Sequence, residues 1–159
     1  MSYARAAATV FAAFLLSNVF AIAIHGFILA ADYEPYRGTL LRDFQGGPGW
    51  QALLLPVAHL CFISGLVWIY GRLSLDGSFT TRGLKLGLIA WLVGQAPLWL
   101  LWYAEQPWPG SLVIKQLTLE LVSALLIGIV VAGVAGRTTG DGRRNSQLTH
   151  DKRPATRSS

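Results

Sequence analysis

LVIKQLTLELVSALLIGIVVAGVA, residues 112–135, decides the class of this chain. The run is long enough to cross a ~30 Å hydrocarbon core as a helix. It carries one acid, Glu120, near its middle. A carboxylate at bilayer depth is costly, so it is expected to face a protein interior and marks a candidate functional site. Three further apolar runs precede it, giving expected spans at about 6–31, 50–70, 83–103 and 111–135. Only helices satisfy their backbone within lipid without neighbouring strands, and the alternating ~10-residue segments of a β-barrel are missing. The expected fold is all-α: a polytopic membrane protein with four transmembrane helices in an antiparallel bundle.

Composition agrees. Of 159 residues, 53% are hydrophobic and 13% charged, against roughly 25% charged in an ordinary soluble domain. The single Cys61 permits no internal disulfide, and no Cys/His spacing fits a metal. The net charge of +5 reflects where the basic residues lie rather than a nucleic-acid partner. With the N-terminus inside, Arg5, Arg72, Arg82, Lys85, Arg137, Arg143, Arg144, Lys152, Arg153 and Arg157 face the cytoplasm. Only Arg37, Arg42 and Lys115 face outward. This ten-to-three division predicts both termini on the cytoplasmic side of a bacterial inner membrane. Tyr33, Tyr36, Trp50, Trp102, Tyr103 and Trp108 would form the outer aromatic belt. The alternative for the first span is a signal peptide cut after Ala21-Ile22-Ala23, but its apolar stretch is longer than usual for one.

Residues 1–136 are expected to form the membrane domain. Residues 137–159, basic and almost free of apolar side chains, are expected to be a disordered cytoplasmic tail. Residues 32–49 should form an outer loop ending in a flexible Gly46-Gly47-Pro48-Gly49 turn. Pro107-Trp108-Pro109-Gly110 should make a tight turn that sets the last two helices antiparallel. Ala124, Gly128, Ala132 and Gly136 recur every four residues, and Gly83 and Gly87 repeat that spacing. Small residues so placed let helices approach closely, within one chain or across a homodimer seam. Pro56 and Pro97 should loosen their helices beside His59 and Gln95.

The chemistry available is a polar layer. Asn18, His25, His59, Gln95 and Glu120 fall at similar depths, with His25 nearer the outer face. Asn18, His25 and Asp32, seven apart, share a stripe of the first helix. Gln116, Glu120 and Ser123 share a face of the last. The plain reading of Asn18 and Gln95 is interhelical hydrogen-bond glue. Glu120 should be paired or protonated, with His59 as its first expected partner and Gln95 or His25 otherwise. No HExxH, GxSxG or P-loop occurs, so no catalytic residue, metal or cofactor is assigned.

The leading expectation is a non-catalytic accessory or assembly subunit, bound to the lipid bilayer within a homodimer or larger membrane complex. Next comes a proton-linked small transporter or channel subunit using Glu120 with His59 or His25. The most remote is a haem-binding electron carrier with His25 and His59 as axial ligands.

Overall fold

Among the residues described by the computed structural model, 1–41 and 49–136, all regular structure is helical. The expectations for the 46–49 turn (apart from Gly49) and for the basic tail lie outside these residues. Helix α1 (Tyr3–Ala21) runs into a π-helical segment, Ile22–Ile28, followed by the short α2 (Ala30–Tyr33). A 3-10 turn, Trp50–Leu53, leads into α3 (Leu54–Tyr70). Helix α4 (Phe79–Ala90) continues through a second π segment, Trp91–Gln95, into α5 (Ala96–Glu105). The chain closes with α6 (Gly110–Ala135).

Three of these helical stretches are long and apolar enough to cross a membrane: Tyr3–Ile28, Phe79–Glu105 and Gly110–Ala135, of 26, 27 and 26 residues. Helix α3 is apolar but shorter, at 17 residues. The molecule is apolar outside, as a lipid-facing surface should be. Val93 is 77% exposed and Phe11 64%, whereas Gln116 is fully buried.

Local chemistry fixes the ends. Ser78 has extended backbone and its hydroxyl accepts the Thr81 amide at 3.2 Å, capping α4. Gly77, at φ 108°, supplies the left-handed turn before it. Residue 97 is proline and has no amide hydrogen, so the Val93 carbonyl loses its normal donor. The helix widens there, and the Ala96 amide bonds the Trp91 carbonyl five residues back. In the first π segment the Leu29 amide likewise reaches the Ile24 carbonyl at 2.8 Å.

Helices α4 and α6 touch backbone to backbone. A methyl group on Gly87 would stand 2.6 Å from the Leu125 Cα, and one on Gly83 2.9 Å from the Gly128 carbonyl. The Gly87 position also abuts the Ala124 carbonyl, and Gly128 the Gly83 carbonyl. As the α4 number rises the α6 number falls, so the two run in opposite directions. Ala132 is buried further along α6, and Gly136 ends that helix beside Arg82. Thus the small residues of both repeats lie within one chain's own packing.

Two apolar clusters form the core. One joins Ala13, Ile63, Leu66, Val67, Leu86, Ala90, Ile127 and Val131. The other, toward the opposite end, joins Ile24, Leu29, Tyr33, Trp108, Leu112 and Val113. Between them along α1 and α6 lie the buried Ser17, Gln116 and Ser123, with Glu120.

Candidate functional site

The gap between the two apolar clusters holds a hydrogen-bonded group of polar side chains. His25, in the first π segment, joins two other elements. Its Nδ1 lies 2.8 Å from the Tyr33 hydroxyl and its Nε2 3.2 Å from Glu120 Oε1. The His25 and Tyr33 rings stack at 6.0 Å between centroids. A carboxylate only accepts, so with Glu120 ionised Nε2 carries the hydrogen. Nδ1 of the neutral ring then accepts from Tyr33. The result is a continuous chain, Tyr33 to His25 to Glu120, linking α2, the first π segment and α6. Its edge is open: the side chain of His25 is 38% exposed and that of Glu120 18%.

The expected first partner of Glu120, His59, is not the one that bonds it. Helix α1 packs on α6 far more extensively than α3 does, so the histidine of the π segment that continues α1 reaches the carboxylate. His59 lies within electrostatic reach of both Glu120 and His25, but its buried Nδ1 has no hydrogen-bond partner. Asn18 does not bridge helices. It donates to the Phe14 carbonyl, 2.8 Å away, in its own helix. Gln95, at the end of the second π segment, has a buried Oε1 without a partner. Beside it, Trp91 Nε1 donates to the Leu117 carbonyl at 3.0 Å, tying that segment to α6.

Other residues join the site beyond the five of the expected layer. Tyr33 was assigned to the aromatic belt, yet it is buried and bonded to His25. Trp91 stands in an apolar run and carries no polar signal beyond its indole N–H. Gln116, one turn from Glu120, is fully buried, and neither atom of its amide has a partner among the described residues. Asp32 and Lys115 pair at 2.7 and 2.8 Å. Their signal was register: Asp32 follows His25 as Lys115 precedes Glu120, the spacing two antiparallel helices need for both contacts.

Tyr33 lies beyond the first spanning helix, and its phenol is pushed well above the ordinary tyrosine value. Burial is the main cause, followed by the negative charges of Glu120 and Asp32. Among the described residues no cluster of three His, Cys, Asp or Glu side chains could hold a metal ion.

The chain matches no known family model, no curated protein and no solved structure. The functional reading therefore rests on this geometry alone.

Proposed function

We propose that this is a small integral inner-membrane protein whose four apolar helices cross the bilayer as an antiparallel bundle. It acts as a non-catalytic accessory or assembly subunit of a membrane complex, with both termini cytoplasmic. The single observation carrying this reading is that His25 joins helical elements, engaging Tyr33 and Glu120 with its two ring nitrogens. Such contacts fix helix order in lipid, at roughly 0.6 kcal/mol each.

Helix α3 is long enough to serve as the fourth span when its lead-in is counted. Its 17 residues give about 25 Å, and the 3-10 turn Trp50–Leu53 adds about 8 Å at ~2 Å per residue. The orientation is supported by Arg5, Arg72, Arg82 and Lys85 lying toward one side of the helices and Arg37 and Lys115 toward the other. Reporter fusions at Gly38 and Gly77 are expected to read external and cytoplasmic. A shared side would remove α3 from the membrane.

A second reading, a proton-linked transporter or channel subunit, is favoured by the same chain of hydrogen bonds. A hydroxyl, an imidazole and a carboxylate in series can pass a proton. Purified protein in liposomes separates the two. The accessory reading expects a pH gradient to persist, and a proton flux abolished by Glu120→Gln would replace it with the second.

A further inference from the structure

Hydrogen-bonding capacity left over in the polar layer goes beyond what joining helices requires. Glu120 uses Oε1 for His25, and Oε2 forms no hydrogen bond among the described residues. Gln116 offers an amide with neither atom partnered, though the residue is fully buried. It lies on the same face of α6, one turn or about 6 Å along the axis from Glu120. Gln95 adds a buried, unpartnered Oε1 from the π segment that Trp91 ties to α6, and His59 adds a free Nδ1.

Buried polar atoms are normally paired, and a fully enclosed side-chain amide with no partner calls for an explanation. The leftover groups are also unbalanced. Glu120 Oε2, Gln95 Oε1 and Gln116 Oε1 can only accept, whereas Gln116 Nε2 can only donate. The nearest strong cation, Lys115, is turned to Asp32. The antiparallel register of the helices, Gly83 against Ile129 and Gly87 against Leu125, puts Gln95 level with the Gln116–Glu120 turn, and acceptors at the level of one carboxylate match a ligand that is positively charged and rich in N–H donors.

We propose that the layer formed by Glu120, Gln116, Gln95 and His59 binds a small organic cation carrying N–H donors, a primary alkylammonium. The ligand enters past His25 and Glu120, the exposed members of the layer. Its ammonium group takes Glu120 Oε2 and the Gln116 carbonyl oxygen, and Gln95 supplies a third acceptor. Spacing along α6 limits it to a few heavy atoms. A quaternary ammonium of the same charge has no hydrogen to donate and is excluded.

Calorimetric titration of the full chain in detergent micelles tests this, using methylammonium chloride and tetramethylammonium chloride at equal ionic strength. Saturable binding of methylammonium alone is expected. Gln116→Leu should weaken it at least fivefold and Glu120→Gln at least tenfold. Thermal melts and helical circular dichroism identify any variant that has failed to fold. If Glu120→Gln is one of these, Gln116→Leu and Gln95→Leu carry the test. The proposal is overturned by no saturable binding, by equal binding of tetramethylammonium, or by folded variants that bind like the parent. These outcomes are independent of reporter topology and proton flux, so the proposal can fail without the functional reading failing.

Discussion

At the scale of single residues, Glu120 and Tyr33 bear on His25 from opposite sides, and their loss should differ in kind. Glu120→Leu removes the acceptor for Nε2 and strands a histidine in an apolar setting, which should destabilise the protein by about 1–3 kcal/mol. Glu120→Gln keeps size and an acceptor oxygen, so its loss should be well under half of that. Unfolding in mixed micelles measures both, and equal losses would show that the charge rather than the bond matters. Tyr33 yields a pH dependence. Its phenol is raised, so the folded chain holds that proton more tightly than the unfolded chain does. The associated stability is fully present below the ordinary value of 10.0 and is lost as pH rises above it toward the folded value. An absorbance titration of tyrosinate should show a late ionisation step above the ordinary tyrosine value. Its disappearance in Tyr33→Phe assigns the late step.

At the scale of elements, α4 and α6 are held by absence of side chain. Gly128→Val places carbon where the Gly83 carbonyl and the Gly87 backbone already lie, within 2.7 Å of the Gly87 nitrogen. Backbone cannot give as a flexible side chain can. The helices must part, at about 1–3 kcal/mol or more. Gly65 on α3 meets nothing within 4 Å, so Gly65→Ala should be near neutral and serves as the control. This close approach was readable from sequence, because small residues four apart lie on one helix face whatever the partner. The π segments were not. Pro97 announced a disturbance but not its form, and Ile22–Ile28 contains no proline at all. That widening coincides with His25 meeting two partners at once, a tertiary demand invisible to local pattern. For the same reason, depth did not say which polar residues pair. Depth is a one-dimensional coordinate, and choosing His25 over His59 depends on how closely each helix packs on α6.

At the scale of the molecule, α6 ends at Ala135, and residues 137–159 have almost no apolar side chains. Truncation after Gly140 is expected to leave insertion and melting temperature unchanged. A drop of several degrees would mean that the tail docks on the helices. The two attachments within the fold also differ in span. The glycine contact joins neighbouring helices through the short turn between α5 and α6, so that pair can assemble as soon as it is made. His25 and Glu120 are separated by 95 positions. At about 5–20 residues synthesised per second, the first helix enters the membrane roughly 5–20 s before its carboxylate partner exists. For that interval the imidazole has Tyr33 within reach of Nδ1 but no partner for Nε2, and biogenesis depends on whatever shelters that nitrogen, whether headgroup water or the insertion machinery.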